Sequence, residues 1–260
     1  MMRFSALMAS MRRADAGYEA EIPANWMQGR TTYGGLTAAL CLEAVLRAHP
    51  DLPPLRSAQI SFIGPAGGMV RVTTEVLRRG KSVSFVGADL FGEAGLAARA
   101  VFAFGAARDS ALKAEFVPYR EFPAPEQLKA PRREGAPGFA LEFDVRWVAG
   151  GKPFTGSKDC DVFLWLRHVD EEARSVPALL ALGDMPPPAL FPMFPYFKPI
   201  STMTWTVNFL ADPSTLARDW LLMESRAEHA AEGYSSQDMF VWTRAGACVM
   251  AGRQSVAVFV

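Results

Sequence analysis

Residues 33–48 form the most continuous apolar segment of the chain and have the pattern of a buried helix. Apart from Thr37, the polar side chains are Glu43 and Arg47, which are four residues apart and share one narrow stripe. A helix that is apolar on nearly every side is typical of a protein interior. Pro50 marks its end, because proline cannot continue a helix. The pattern therefore predicts that the rest of the chain surrounds this helix.

Two glycines, Gly34 and Gly35, stand at the start of this segment. The first N–H groups of a helix have no partner inside the helix, and glycine leaves them accessible to an anion or a carbonyl oxygen. Alternatively, the glycines only allow the helix to enter beneath a sheet, since they carry no side chain. The sequence leaves both interpretations open.

Strand patterns flank the helix. Two short strands are predicted before it, at 3–10 and 18–23. Turn residues after the helix separate β-rich runs, which indicates an antiparallel meander. The four strands of this meander are predicted at 56–63, 69–77, 82–91 and 96–104.

The second half repeats this order. A short helix is predicted at 176–183, followed by a Pro/Phe-rich insert at 186–199. The strands are predicted at 139–148, 159–168, 201–210, 220–228, 234–244 and 247–259. A repeat of roughly 150 residues is too long for a solenoid unit and indicates a duplicated domain.

The repeat predicts two domains, residues 1–107 and 139–260, connected by a Pro-rich linker at 108–138. The linker is charged and only weakly periodic, which is typical of a connection over the surface. Because exposed sheet edges are best covered by pairing, the two halves are expected to join edge to edge.

Short motifs in both halves resemble one family. The first half carries Trp26, Gln-Gly-Arg at 28–30, Tyr-Gly-Gly at 33–35 and Leu-Arg-Arg-Gly-Lys-Ser-Val-Ser at 77–84. The second half carries Asp-Trp-Leu-Leu-Met-Glu at 219–224 and Val-Met-Ala-Gly-Arg-Gln at 249–254. In this order, over nearly the whole chain, they resemble the TesB-type acyl-CoA thioesterases (acyl-CoA thioesterase II). The resemblance implies an α+β double-hotdog fold, two tandem antiparallel sheets each curved around a central helix.

The resemblance also implies the chemistry. The family hydrolyses acyl-CoA thioesters to free acid and coenzyme A with an Asp, a Thr and a Gln that position a water molecule, as part of fatty acid metabolism. The matching residues are Asp184, Thr202 and Gln254. Such a site needs a carboxylate to accept a proton and N–H groups to hold the oxyanion, for which Gly34 and Gly35 are the candidates. The three side chains are expected to meet at one water, near the N-terminus of the first helix.

Each of these residues also has a structural interpretation. Asp184 precedes three prolines, where aspartate is common in turns. Thr202 alternates with Thr204 on a predicted strand, so that both share one face, and threonine is an ordinary β-former. Gln254 stands where the first half has Phe102, which indicates an active site kept in one half. A solvent-facing glutamine is the alternative.

The composition argues against two classes of function, nucleic-acid binding and membrane insertion. The 27 basic residues balance the 27 acidic ones, which argues against nucleic-acid binding by phosphate neutralisation. No stretch reaches the roughly 18 apolar residues of a membrane helix. The three cysteines lie in apolar runs without zinc spacing, as expected of reduced residues in a cytoplasmic protein. We therefore expect acyl-CoA as the partner, and neither nucleic acid nor membrane.

Other catalytic motifs are absent from the sequence. It contains no Gly-x-Ser-x-Gly elbow and no Gly-x-Gly-x-x-Gly after a strand, and its three histidines lack metal-ligand spacing. We expect no metal and no cofactor, since coenzyme A is part of the substrate.

Two alternatives stay open: a hotdog hydratase or dehydratase that uses His168, and a non-catalytic acyl-CoA-binding module in which Asp184 and Gln254 do not converge. Acyl chain length, an acyl carrier protein as carrier, and a homo-oligomer are also left open.

Overall fold

The computed structural model describes residues 1–131, 134–215 and 219–260. Three α-helices and fourteen strands are found in these residues. The first half contains α1 (Phe4–Ser10), β1 (Arg12–Ala14), β2 (Gly17–Ile22), β3 (Met27–Gln28), β4 (Thr31–Thr32), α2 (Gly34–Ala48), β5 (Leu55–Phe62), β6 (Gly68–Arg79), β7 (Val83–Gly92) and β8 (Gly95–Gly105). The second half contains β9 (Phe143–Ala149), β10 (Asp161–His168), α3 (Val176–Gly183), β11 (Ile200–Phe209), β12 (Leu221–Ala231), β13 (Tyr234–Thr243) and β14 (Cys248–Val258).

Twelve of these strands form one antiparallel sheet, and β3 pairs with β4 separately. The order in the sheet is β1-β2-β6-β7-β8-β5-β11-β14-β13-β12-β10-β9. Apart from the strand at the outer edge of each half, β1 or β9, the five sheet strands of each half lie in the order first, third, fourth, fifth, second. The same connectivity thus occurs twice, each time with a helix between the first and second of these five strands. This is the double-hotdog arrangement.

The two halves meet edge to edge, as the sequence predicts. Strand β5 pairs antiparallel with β11, so that Ser61 lies opposite Thr204 and Ser57 opposite Asn208. Pairing the two edges satisfies backbone N–H and C=O groups that would otherwise be exposed. It also places the helices of the two halves side by side, and α2 packs against α3.

Helix α2 is the buried centre of the first half. Its apolar side chains contact β2, β6, β7 and β8, and nearly all of them are inaccessible to solvent. The polar stripe has a structural role: Arg47 donates to Glu43 and to the backbone carbonyls of Met8 and Met11. These bonds attach the end of α1 and the residue that follows it to α2.

The prediction of a strand at 3–10 is wrong, because this segment is helix α1. Its buried side chains are Phe4, Leu7 and Met8. Their spacing of three and four residues defines one helical face rather than the alternation of a strand.

The segment at 139–148 also differs from its prediction. The strand begins only at Phe143, because residues Gly138–Glu142 form a 3₁₀ turn after Pro137. The turn lets the ring of Phe139 stack on Tyr33, with 4.2 Å between ring centroids.

The linker lies partly on the second half. Residues 106–116 are exposed, but Val117, Tyr119, Phe122 and Leu128 pack on a cluster on the second half of the sheet that includes Trp165, Trp220 and Trp242. Linker residues 132 and 133 lie outside the described residues. The domain boundaries at 107 and 139 stay a prediction.

Candidate active site

Asp184 is the residue that follows α3, and its carboxyl group lies at the junction of the two halves. Burial raises the pKa of Asp184 from 3.8 to about 7. A hydrogen bond from Gln254 and the backbone N–H of Gly35 both favour the charged form and limit that increase. The residue retains some solvent exposure. A carboxyl group with a pKa near neutrality suits proton transfer at physiological pH.

Close backbone packing brings α3 and α2 together at this point. A Cβ atom on Gly183 would lie 2.8 Å from Met250 Cε, which shows how closely the end of α3 approaches the sheet. The Tyr33 hydroxyl donates to the Ala181 carbonyl at 2.6 Å. A Cβ atom on Gly35 would lie 2.6 Å from the same carbonyl oxygen. Glycine is therefore required where α2 starts, because a side chain would separate the two helices.

Gly34 and Gly35 lie beside Asp184. A Cβ atom on Gly34 would lie 2.7 Å from Asp184 Oδ2. The N–H of Gly35 interacts with the carboxylate, whereas no hydrogen-bond acceptor for the Gly34 N–H is found among the described residues. The positive end of the α2 dipole also favours a negative charge at this position. The Gly34 N–H, one of the two predicted oxyanion donors, thus has no protein acceptor in the described structure.

Gln254 on β14 is buried, with an exposed fraction of 3 %, so the solvent-facing alternative is wrong. Its Nε2 donates to Asp184 Oδ1 at 2.6 Å. Its Oε1 accepts from Gln237 Nε2 at 2.9 Å. Asp184 and Gln254, 70 positions apart in the chain, are therefore in direct contact.

Thr202 lies on the same face of the sheet as Gln254, next to a bulge in β11. A bulge shifts the register of β11, so that Thr202 pairs with Val256 while Thr204 pairs with Ser255. Paired residues share a face, so Thr202 faces inward with Val256 and Gln254 whereas Thr204 is exposed. The prediction that both threonines share one face is wrong. Thr202 is a diagonal neighbour of Gln254, and its hydroxyl has no side-chain bond to Gln254 or Asp184 in the described structure.

Two buried polar atoms near this cluster have no protein partner among the described residues: Trp205 Nε1 and Ser235 Oγ. Trp205 pairs with Gln254, and Ser235 pairs with Val256. Buried polar atoms are normally hydrogen bonded. Their presence around Gln254 fits a site that receives water or polar substrate atoms.

Sequence reasoning missed Gln237, whose Oε1 accepts from the Ala189 N–H at 2.8 Å. The sequence did carry a signal for this residue. Gln237, Met239 and Val241 are two residues apart on β13, so that Gln237 points to the same, core-facing side of the strand as the other two. A polar residue at a core position of a strand needs a buried partner.

His168 lies apart from this cluster. Its Nε2 is 2.8 Å from the carbonyl oxygen of Ala178, in the first turn of α3, and its ring packs against Phe4 and Phe143. Asp184 follows the last turn of the same helix, about 9 Å away along the axis at 1.5 Å per residue. Burial lowers the pKa of His168 to about 4. A neutral histidine at the far end of α3 does not form a pair with Asp184.

Two clefts of the described structure lie away from the Asp184 cluster. One, of about 250 Å³, is lined by His168, Asp170, Arg174 and Asp219 among others.

In residues 1–131, 134–215 and 219–260, no three His, Cys, Asp or Glu side chains converge as a metal site requires. No helix in these ranges is long and apolar enough to cross a membrane.

The pKa of Asp184 predicts how stability depends on pH. The carboxyl group titrates near 3.9 when unfolded and near 7 when folded, so folding favours the protonated form. This contribution is complete below about pH 4 and is lost as pH rises to about 7. We expect Asp184→Asn to remove it. Between pH 5 and 8, the free energy of unfolding of wild type should fall by about 2–3 kcal/mol more than that of the variant.

Urea denaturation of both proteins at each pH measures this difference. The other ionisable groups are shared by the two proteins and cancel in the comparison. A difference between the proteins that stays constant from pH 5 to 8 would contradict the raised pKa.

Fold and cluster together define a double-hotdog protein with a buried carboxyl–amide pair where its two halves meet. Residues 22–105 match the family model of the acyl-CoA thioesterase N-terminal domain, and residues 119–258 match that of the C-terminal domain. The chain belongs to the acyl-CoA thioesterase family.

Solved structures share the fold over the whole chain. A hotdog-fold protein of unknown function from Alicyclobacillus acidocaldarius is 24 % identical, with a TM-score of 0.89 and coverage of 98 % of this chain and 97 % of that one. A putative thioesterase II from Thermobifida fusca is 20 % identical, with a TM-score of 0.85 and coverage of 100 % and 98 %. The acyl-CoA thioesterase II TesB2 from Mycobacterium marinum is 16 % identical, with a TM-score of 0.75 and coverage of 97 % and 96 %. The search of curated proteins gives no match.

Proposed function

We propose that this protein hydrolyses an acyl-CoA thioester to a free carboxylic acid and coenzyme A, with Asp184 as the general base for a water molecule. The observation that carries the proposal is the contact of Asp184 with Gln254 and with the start of α2. A carboxyl group, an amide donor and a helix N-terminus are the three components that water attack on a thioester needs. Membership of the acyl-CoA thioesterase family supports the same substrate class.

In the proposed reaction, the Asp184 carboxylate accepts a proton from water as the water oxygen bonds to the thioester carbon. The carbonyl electrons move to the oxygen, and the free N–H of Gly34 stabilises this oxyanion. When the carbonyl re-forms, the C–S bond breaks and the thiolate takes the proton from Asp184. The products are the acid and the thiol, and Asp184 returns to its ionised form.

Gln254 and Thr202 have supporting roles in this proposal. The Gln254 NH₂ group donates to Asp184, which stabilises the ionised base. Thr202 lies diagonally from Gln254 on the same face of the sheet. Its hydroxyl has no side-chain partner in the described structure and is proposed to orient the water. The absence of a cofactor from this reaction is part of the proposal.

Neither of the two alternatives left open by the sequence fits the contacts that its key residues make. A binding module was expected to leave Asp184 and Gln254 apart, whereas they are hydrogen bonded. A hydratase was expected to use His168, which lies at the other end of α3 and bonds to the Ala178 carbonyl.

Product analysis with wild-type protein tests the proposal. The protein is incubated with saturated, 2-enoyl and 3-hydroxyacyl-CoA substrates of several lengths. A thiol-reactive dye reports coenzyme A, and mass spectrometry reports the acyl product. We expect equimolar free acid and thiol. Interconversion of enoyl- and 3-hydroxyacyl-CoA without thiol release would favour the hydratase, and no conversion by folded protein would exclude both.

The pKa of Asp184 predicts the pH profile of the activity. A base must be ionised to accept a proton, so kcat/KM should fall about tenfold per pH unit below a pKa of about 7. Initial rates from pH 5 to 9 at low substrate concentration measure it. A profile that is flat between pH 5 and 8 would show that a carboxylate of this pKa is not the base.

A further inference from the structure

A second buried glutamine, Gln237 on β13, lies directly behind Gln254. The two residues are paired across β13 and β14, and the exposed fraction of Gln237 is 1 %. Hydrogen bonds run without interruption from the Ala189 N–H to Gln237, from Gln237 to Gln254, and from Gln254 to Asp184, with donor–acceptor distances of 2.8, 2.9 and 2.6 Å. We propose that Gln237 is a positioning residue that holds the Gln254 amide with its NH₂ group toward Asp184.

The direction of this relay follows from one backbone group. The N–H of Ala189 can only donate, so it must meet the oxygen of Gln237. The NH₂ group of Gln237 then faces Gln254 and needs an acceptor, which is the Gln254 oxygen. The NH₂ group of Gln254 is thereby left for Asp184.

The reverse orientation is unfavourable at both ends. Turning the Gln254 amide by 180° would place its NH₂ against the NH₂ of Gln237 and its oxygen against the Asp184 carboxyl oxygen. Unmatched polar groups in a buried site are costly. The relay thus ensures that Asp184 faces a donor, which lowers its pKa and keeps it available as a base.

The anchor of the relay belongs to the Pro/Phe-rich insert, residues 186–199. Ala189 is fully buried. Its neighbours Leu190 and Phe194 pack against Val258 at the end of β14. The insert therefore fixes the position of the Ala189 N–H relative to the strand that carries Gln254. This assigns the insert a role in orienting the site, a role that rests on the proposed hydrolase function.

Gln237→Met tests the proposal, because methionine has a similar volume but makes no relay bonds. Gln254 is then free to turn. We expect kcat to fall about tenfold, the scale of one neutral hydrogen bond. The acid-limb pKa of kcat/KM should rise, since Asp184 loses its fixed donor, while KM changes less than about threefold. A loss of packing alone would lower stability without moving this pKa.

Gln237→Glu supplies a second signature. While the introduced carboxyl group is protonated, it donates to Gln254 and accepts from Ala189, which preserves the direction of the relay. Once ionised, this carboxylate only accepts, so the Gln254 NH₂ turns toward it and away from Asp184. We expect kcat of this variant to fall at high pH, where that of wild type stays level.

Gln59→Glu is the matched control, because Gln59 is exposed on β5 and should leave the profile unchanged. Urea denaturation confirms that each variant is folded. The inference fails if Gln237→Met keeps both the kcat and the acid limb of wild type while Gln254→Ala loses activity, or if Gln237→Glu shows no fall at high pH. Absence of hydrolysis by wild type would instead refute the proposed function itself.

Discussion

Replacing Asp184 with asparagine is expected to lower kcat by roughly 10²-fold or more, the scale of losing a general base. Asparagine has the shape of aspartate, and its oxygen can still accept from Gln254 Nε2. Its amide cannot take a proton from water at any pH used for the assay. The loss should therefore appear in kcat, with little change in the binding of a non-hydrolysable acyl-CoA.

The assay is thiol release at saturating acyl-CoA, with Asp109→Asn as the control. Asp109 is exposed in the linker, so that the same chemical change should leave turnover intact. Asp184→Ala should behave like Asp184→Asn in this assay. Turnover close to wild type in folded Asp184→Asn or Asp184→Ala would rule out Asp184 as the base.

Replacing Gln254 with alanine is expected to reduce turnover by a similar factor, again roughly 10²-fold. The change removes the donor that faces Asp184 and leaves Gln237 Nε2 without its acceptor. Because the carboxylate loses a stabilising hydrogen bond, the pKa of Asp184 should rise further. The acid limb of kcat/KM should then shift to higher pH, while a non-hydrolysable acyl-CoA still binds.

Rates measured across the pH range separate the two parts of this effect. If Gln254 acts only on the pKa of Asp184, high pH should restore most of the activity. If it also contacts the reacting groups, a loss remains at every pH. Gln59→Ala, on the exposed side of β5, is the control. An unchanged acid limb and unchanged kcat in Gln254→Ala would contradict the role assigned to this residue.

Much of the fold was predictable because its strongest signals are local. The all-round apolar pattern of α2 identified the buried helix. The repeated order of strands and helix indicated a duplicated domain, and the family resemblance implied the double-hotdog fold. The need to cover exposed strand edges predicted that the two halves join edge to edge, and the structure forms this junction by pairing β5 with β11.

The errors have physical causes that the sequence pattern hides. The bulge in β11 inserts one residue, Met203, and this reverses the face of Thr202 relative to Thr204. Alternation along a strand carries no sign of a bulge. For α1, the helical spacing appears only once the buried residues are known to be Phe4, Leu7 and Met8, and the apolar pattern of so short a segment does not show which residues are buried.

The candidate site was predictable only in part. The family resemblance pointed to Asp184, Thr202 and Gln254, and the structure brings Asp184 and Gln254 into contact. Gln237 was missed because its partners, Ala189 and Gln254, are 48 and 17 positions away in the chain. Such a relay depends on the register between β13 and β14, which a single sequence does not specify.

A crystal structure with a non-hydrolysable acyl-CoA would show whether water held at Asp184 can attack the thioester carbonyl. The carbonyl group of the ligand should lie at the junction of α2 and α3, with its oxygen toward the Gly34 N–H. A water should lie within about 3 Å of the Asp184 carboxylate and close to the carbonyl carbon. A ligand carbonyl that is bound elsewhere, such as in the cleft beside His168, and is out of reach of Asp184 would show that Asp184 does not activate the attacking water.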